Sequence, residues 1–250
     1  MGDGGAVKRA RNAALLAVVV LALALPASVS SATTVNVFAA ASLTGVFPKI
    51  DGSERYSFAG SDQLALQIRQ GAPADVFASA SPKYTELAYR DGYVRKPVVF
   101  ATNRLIVLVP RSNPAGIKTV YDLRRPGLKI VIGDKLVPVG SYTRQILDAL
   151  GITADVMSNV VSEETDVKGI VTKVAMGEAD AGFVYRTDAR PVASRTRRVP
   201  LPGWAQPPIR YEIAVVKASS HAAPARAFVK KVTSKRGRKL LAAAGFGLPK

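Results

Sequence analysis

The sequence predicts an α/β protein of two lobes joined by a double-stranded hinge. Strands and helices alternate over residues 33–92, and a second alternation runs over residues 129–185. Such alternation favours parallel sheets covered by helices on both faces. An apolar strand at 105–110 leads out of the first set, and another at 211–217 leads back. Two crossings of this kind are typical of proteins whose lobes close around a ligand.

The first lobe is predicted to comprise residues 33–110 together with 211–250, and the second lobe residues 111–210. Gly71 is placed to end a helix, and Pro82 to occupy the first turn of another. The elements predicted for the first lobe are, in order, strand 35–39, helix 43–50, strand 55–58, helix 62–70, strand 75–78, helix 82–91, the returning strand 211–217, and helices 224–231 and 235–243.

The second lobe repeats the pattern after a polar connection. Gly151 and Gly177 each follow a predicted helix. Four prolines between 200 and 208 stiffen the link that returns to the first lobe. The elements predicted for this lobe are strand 129–132, helix 142–150, a short extended piece at 160–161, helix 167–176 and strand 181–185.

The N-terminus has the pattern of a secretory signal peptide. Three basic residues precede an apolar run at 13–25, and small residues follow up to Ala32. We expect residues 1–32 to be a signal peptide cleaved near Ala32. The protein is then exported to the periplasm or the outer face of the cytoplasmic membrane. An uncleaved signal anchor is the alternative.

The chain is strongly basic and has no cysteine. Residues 1–32 contribute a net +2 to the formal charge of +17, so cleavage near Ala32 leaves +15. That balance favours anionic partners or anionic membrane surfaces. The lack of cysteine excludes a disulfide framework and thiol chemistry, and predicts a soluble product without a lipid-bearing cysteine.

The sequence offers little for catalysis. His221 is the single histidine and lies in a polar turn, where we expect it at the surface, and no Gly-x-Ser-x-Gly elbow is present. No pattern of metal ligands or nucleotide-binding glycines occurs either. We therefore expect no catalytic residue, no direct metal-ion ligand and no cofactor. Because no aromatic-interleaved basic motif is present, we expect no nucleic-acid partner, and we expect a monomer.

Two serines follow predicted strands of the first lobe. Ser42 comes after strand 35–39 and Ser61 after strand 55–58, each where a helix can begin. The first amides of a helix lack backbone partners and bind anions. Since the carboxyl ends of parallel strands share one sheet edge, both serines are expected to face one pocket.

The second lobe offers similar groups. The amides around Val139 precede or open one helix, and Val167 opens another that Thr165 or Asp166 caps. Tyr185 ends a predicted strand, so its phenol projects near the same place. Each feature alone is common, but together they favour an anion site between the lobes.

Several segments, in order along the chain, resemble motifs of the periplasmic molybdate-binding proteins. The resemblance covers essentially all of the predicted mature chain. It implies a type II periplasmic-binding-protein fold that delivers molybdate or tungstate to the permease subunits of an ABC importer. The segments are residues 38–43 (FAAASL), 58–61 (FAGS), 71–77 (GAPADVF), 137–142 (VPVGSY), 184–189 (VYRTDA) and the ending 245–247 (GFG).

Position by position, the resemblance implies which groups hold the oxyanion, and none of them is a charged side chain. Several neutral dipoles can together match a dianion in a dry site. A pocket of donors alone suits a fully deprotonated oxyanion, whereas phosphate keeps a proton near neutral pH and needs an acceptor too. The implied groups are Ser42 and Ser61, the backbone amides of Val139 and Val167, and the hydroxyl of Tyr185.

The chain departs from the family pattern at three places. Val139 stands where alanine is usual, so its β-branch could crowd the pocket. Segment 45–55 is short, so the first helix is expected to be trimmed. Asp62 follows Ser61 where neutral residues are commoner, and we expect its carboxylate to face solvent from the first helical turn.

Three other functions stay open at this point. A receptor for sulfate or another small oxyanion would use the same fold. An anion-responsive regulatory or interaction protein would use the basic surface instead. A hydrolase has the least support, because a serine hydrolase would need His221 as its base and no nucleophile elbow is present.

Overall fold

The computed structural model describes residues 33–249. The predicted signal peptide, residues 1–32, and its cleavage near Ala32 lie outside the described residues. Within 33–249, no helix combines the length and apolar character that crossing a bilayer requires. The described chain forms two five-stranded sheets with helices packed against them, which confirms the predicted α/β class.

The first half of the chain supplies most of one sheet. The short 3₁₀ turn Ala41–Leu43 follows its first strand. The elements are β1 (Asn36–Ala40), α1 (Phe47–Ile50), β2 (Arg55–Ala59), α2 (Ser61–Arg69), β3 (Val76–Ser79), α3 (Pro82–Arg90) and β4 (Val98–Asn103).

The second sheet follows, and the chain then returns to the first. The second set is β5 (Leu105–Pro110), β6 (Ile130–Gly133), α4 (Pro138–Leu150), α5 (Thr153–Met157), β7 (Val160–Glu164), α6 (Val167–Ala175), β8 (Ala181–Tyr185) and β9 (Thr196–Val199). The returning elements are β10 (Ile209–Val215), α7 (Ala222–Thr233) and α8 (Lys235–Ala244). Two further 3₁₀ turns lie at Val120–Arg124 and Gly203–Ala205.

The two sheets share a mixed design. The first has the order β2-β1-β3-β10-β4, and the second β7-β6-β8-β5-β9. In the first, β1 runs parallel to β2 and β3, while β10 is antiparallel to its neighbours. In the second, β6 runs parallel to β7 and β8, while β5 is antiparallel to its neighbours. The parallel strands of each sheet therefore present their carboxyl ends together.

The chain crosses between the sheets earlier than the predicted lobe boundary at 110/111. All six residues of β5 are buried, and β5 pairs with β8 on one side and β9 on the other. A strand buried on both faces belongs inside a sheet rather than at a connection. The first crossing is therefore at Arg104, between β4 and β5, and the second lies between Val199 and Ile209.

Several local elements differ from the prediction. The helix predicted at 43–50 is a 3₁₀ turn followed by the single turn of α1, in line with the expected trimming. Helix α4 begins one turn earlier than predicted, because Pro138 fits the first helical turn, where no N–H is needed. Strands β4 and β9 and the short helix α5 were not predicted, and β7 extends to Glu164, beyond the piece predicted at 160–161. The two middle residues of β9 are exposed arginines, so its sequence resembles part of a basic surface cluster rather than a strand.

Buried aromatic rings connect the sheets near the first crossing. The ring of Tyr211 on β10 lies 5.8 Å from that of Tyr185 on β8 and 5.4 Å from that of Phe246. Gly247 pairs with Thr102 through two backbone hydrogen bonds of 2.8 and 2.9 Å. The C-terminal segment is thereby held against β4, next to the crossing at Arg104.

Candidate functional site

A small cavity lies between the carboxyl ends of the parallel strands of the two sheets. All five residues predicted to bind the ligand line it: Ser42, Ser61, Val139, Val167 and Tyr185. The other lining residues are Ala40, Ala41, Ala59, Gly60, Ala80, Val137, Pro138 and Asp166. Both lobes therefore contribute to one site.

Ser61 is held so that its hydroxyl proton is available to a ligand. It is the first residue of α2 and is 1% exposed. Its Oγ accepts a hydrogen bond of 3.0 Å from the backbone N–H of Ala80. Because the oxygen serves as the acceptor there, the hydroxyl proton remains free to donate into the cavity.

Ser42 lies in the 3₁₀ turn that follows β1 and is also buried. Its Oγ is 2.9 Å from the hydroxyl oxygen of Tyr211 on β10. Sequence reasoning did not identify Tyr211 as part of the site. It lies 169 residues away along the chain, and nothing in its local sequence marks it.

The first turn of α4 supplies backbone donors from the second lobe. Val137 is the N-cap, and its carbonyl accepts the first helical hydrogen bond from the Ser141 N–H at 2.9 Å. Val139 is the second residue of α4, so its amide has no hydrogen-bond partner within the helix. The side chain of Val139 packs against Gly133, where an added methyl group would lie only 2.8 Å from its Cγ1. Gly133 thus makes room for the β-branch that distinguishes Val139 from the usual alanine.

Helix α6 offers a second amide. Asp166 is its N-cap, and the carboxylate accepts hydrogen bonds from the N–H groups of Lys168 at 2.6 Å and Gly169 at 3.3 Å. This confirms Asp166 as the cap, one of the two candidates. The cap leaves the N–H of Val167, the first helical residue, available for a ligand.

Tyr185 ends β8 and is 2% exposed. Its hydroxyl is buried and makes no hydrogen bond within residues 33–249. Burial, followed by the nearby Tyr211, raises the pKa of Tyr185 well above its ordinary value. The phenol is therefore protonated over the physiological range and can donate. An unpaired buried hydroxyl is costly, and a bound acceptor would remove that cost.

The cavity is rich in neutral donors and poor in charge. Its lining includes no lysine or arginine, and the one carboxylate, that of Asp166, is occupied by backbone amides. In the described part of the chain, no three histidine, cysteine, aspartate or glutamate side chains gather as a metal site. The arrangement suits a small anion held by hydrogen bonds.

Asp62 is half-buried rather than turned fully to solvent as the sequence predicts. Its Oδ1 is buried and accepts no hydrogen bond from the described residues. An added methyl group on Gly60 would lie 2.6 Å from this oxygen and 2.6 Å from the carbonyl oxygen of Thr165. The second lobe therefore covers the first turn of α2. Burial raises the pKa of Asp62, with a smaller contribution from Asp134.

Asp62→Asn is expected to tighten binding of a dianion by about fivefold at pH 7. The substitution removes a like charge beside the cavity, which is worth about 1 kcal/mol at high effective dielectric. Lowering the pH toward the raised pKa should shrink the difference, because protonation neutralises the wild-type carboxylate. Calorimetric titration with molybdate at pH 7 and pH 5 measures both effects.

The control for this prediction is Asp91→Asn, which removes an exposed carboxylate from the same lobe. Its affinity should match that of the wild type at both pH values. Equal or weaker binding by Asp62→Asn at pH 7 would show that the Asp62 carboxylate does not act on the cavity.

His221 is half-buried rather than fully at the surface. Its Nδ1 lies 3.3 Å from Oδ1 of Asp75, which also accepts a 2.5 Å hydrogen bond from Ser219 Oγ. The carboxylate thus lies between the hydroxyl and the imidazole. A hydrolytic triad needs the imidazole next to the serine, so this cluster lacks that geometry.

Two facing α/β lobes with a donor-lined cavity between them define a receptor for a small ligand. The particular family follows from comparison with known sequences. The chain belongs to the bacterial extracellular solute-binding proteins, whose family model matches residues 35–247. The type II binding-protein fold expected from the sequence is thereby confirmed.

The chain is similar to individual proteins named for molybdate binding. The molybdate-binding protein ModA of Mycobacterium tuberculosis is 42% identical over 228 residues, covering 87% of this chain and 86% of the relative. Among solved structures, the periplasmic molybdate-binding protein of Azotobacter vinelandii is similar with a TM-score of 0.77. It is 24% identical, with 86% of this chain and all of that chain covered.

A sulfate receptor shares the fold. The sulfate-binding protein SubI of Mycobacterium tuberculosis is similar with a TM-score of 0.72 and 21% identity, covering 86% of each chain. Both structural similarities lie below 25% identity and so establish the fold alone.

Proposed function

We propose that this protein is the substrate-binding component of an ABC importer for molybdate or tungstate. The observation that carries the proposal is the cavity, in which buried neutral donors from both lobes face one small space. The unpaired hydroxyl of Tyr185 is its most telling member. The proposal is supported by the 42% identity to a protein named for molybdate binding.

The donors divide between the lobes, so a bound ion would hold the lobes together. Ser42 and Ser61 act from the first lobe, and Val139, Val167 and Tyr185 act from the second. Each bond to a charged acceptor is stronger than a neutral hydrogen bond. Closure of the two lobes around the ion then presents one closed form to the permease.

Several further properties belong to the same proposal. The protein is exported and acts outside the cytoplasm, where the permease subunits of the importer are its partners. It binds its ligand as a monomer, without a cofactor, without catalysis and without nucleic acid. The names of its relatives as binding proteins support the non-catalytic role.

A receptor for sulfate is the second candidate. The observation in its favour is the fold shared with the sulfate-binding protein SubI. Sulfate is a fully deprotonated tetrahedral dianion near neutral pH and would also suit a cavity of donors. The higher sequence identity to a molybdate-binding protein favours molybdate.

Calorimetric titration of the purified protein with molybdate, tungstate, sulfate and phosphate tests the proposal. We expect similar affinities for molybdate and tungstate, and binding of sulfate that is weaker by a factor of about 100 or more, since a misfit in a donor site leaves buried groups unpaired. Phosphate should bind weakly because its proton lacks an acceptor. Sulfate binding as tight as molybdate binding would overturn the assignment.

A further inference from the structure

A buried side-chain amide next to the site has an unambiguous orientation. Oδ1 of Asn103, at the end of β4, accepts a 2.9 Å hydrogen bond from the backbone N–H of Arg104. Its Nδ2 therefore faces the opposite way, 3.0 Å from Oγ1 of Thr187 and 3.4 Å from the hydroxyl oxygen of Tyr211. Because an amide NH₂ group only donates, the Tyr211 oxygen is an acceptor toward Asn103.

The hydroxyl proton of Tyr211 then has one available acceptor. Among residues 33–249, the hydroxyl of Tyr211 has two hydrogen-bonding neighbours, Nδ2 of Asn103 and Oγ of Ser42. The first cannot accept, so the phenol donates to Ser42 across 2.9 Å. The opposite direction would leave a proton of a fully buried tyrosine without an acceptor.

We propose that Tyr211 is a positioning residue for oxyanion binding. By donating to Ser42 Oγ, it turns the Ser42 proton into the cavity. This inference rests on the proposed function, because it assigns a role to Tyr211 in that same site.

The other pocket serine has an equivalent partner. The backbone N–H of Ala80 donates to Ser61 Oγ and so frees the Ser61 proton for the cavity. At Ser42 the same task falls to a side chain. A backbone N–H can be removed only by proline, which also constrains the backbone. The hydroxyl of Tyr211 can be removed by phenylalanine alone, so the Ser42 arrangement can be tested directly.

The network continues into the second lobe. Thr187 Oγ1 accepts from Asn103 at 3.0 Å, and the neighbouring Asp188 accepts a 2.6 Å hydrogen bond from Nζ of Lys168. Lys168 follows Val167, which begins α6 and lines the cavity. A hydrogen-bonded path, with one covalent step from Thr187 to Asp188, thus joins the Ser42 side of the site to the first turn of α6.

A double-mutant cycle tests the role of Tyr211. Molybdate affinity is measured for the wild type, Tyr211→Phe, Ser42→Ala and the combined variant. We expect Tyr211→Phe to weaken binding by about 5- to 10-fold, the loss of one oriented hydrogen bond. In the Ser42→Ala background it should change affinity by less than about twofold, because the group that it orients is gone.

Tyr56→Phe is the matched control. It removes a phenol that hydrogen-bonds to the carbonyls of Phe47 and Asp51 in the first lobe, and it should leave affinity unchanged. The thermal midpoint without ligand reports folding for every variant. If Tyr211→Phe does not fold, Asn103→Asp replaces the donor to Tyr211 by an acceptor. The added negative charge weakens binding in either background, so the test is the difference: Asn103→Asp should weaken binding more when Ser42 is present than in the Ser42→Ala background.

The outcomes separate this inference from the proposed function. Unchanged affinity in Tyr211→Phe, or an equal loss in both backgrounds, overturns the role of Tyr211 while molybdate binding stands. Absence of molybdate binding by the wild-type protein overturns both.

Discussion

Ser42→Ala combined with Ser61→Ala is expected to weaken molybdate binding by at least about 100-fold. Each serine is buried in the cavity wall. The Ser61 oxygen accepts from the backbone N–H of Ala80. With Tyr211 donating to Ser42 as proposed above, both serine protons are directed to the ligand. A hydrogen bond to a charged acceptor contributes about 1.5–3 kcal/mol, which corresponds to at least tenfold for each serine alone.

Calorimetry measures the loss of affinity for the two single variants and the combined one. Thermal unfolding should show that each of them still folds cooperatively. Ser220→Ala, which alters an exposed hydroxyl away from the cavity lining, is the control and should bind like the wild type. If both single serine variants retained wild-type affinity, the assignment of the cavity as the binding site would be wrong.

Gly60→Ala is expected to weaken molybdate binding by about 5- to 150-fold, the range that a steric overlap of about 1–3 kcal/mol gives. A methyl group there would lie 2.6 Å from the carbonyl oxygen of Thr165, which belongs to the backbone of the other lobe. A backbone carbonyl is less able to move than a flexible side chain, so the two lobes would have to move apart. Parting separates the donors of the two lobes.

The control is Gly45→Ala, where an added methyl group meets no atom within 4 Å. It should leave affinity unchanged. Since Gly60→Ala acts on closure, its ligand-free thermal midpoint should stay close to that of the wild type while the increase with molybdate shrinks. A normal increase with molybdate in Gly60→Ala would show that the close approach at Thr165 is not needed for binding.

That the five candidate residues line one cavity was predictable, because their positions follow from local rules. Ser61 and Val167 are each the first residue of a helix, α2 and α6. Tyr185 ends β8, a strand of the second sheet. Parallel strands bring such ends to one edge whatever the details of packing. Order along the chain was therefore enough to place them together.

Other features depend on contacts that local sequence does not encode. Asp62 occupies a favourable place for an acid at a helix start, yet one of its carboxylate oxygens is buried where the second lobe approaches. Tyr211 reaches Ser42 only through the pairing of β10 with β3 and β4. The predicted boundary at 110/111 assigned β5 to the first lobe, whereas β5 belongs to the second sheet. The apolar sequence of a strand does not show which sheet the strand joins.

A crystal structure of the protein with tungstate is the most direct measurement of the central claim, since tungsten can be located by its anomalous scattering. The account predicts one strong peak inside the cavity. The oxygens around it should lie within hydrogen-bonding distance of the hydroxyls of Ser42, Ser61 and Tyr185 and of the amides of Val139 and Val167. A peak on the basic surface, with the cavity free of tungsten, would contradict it.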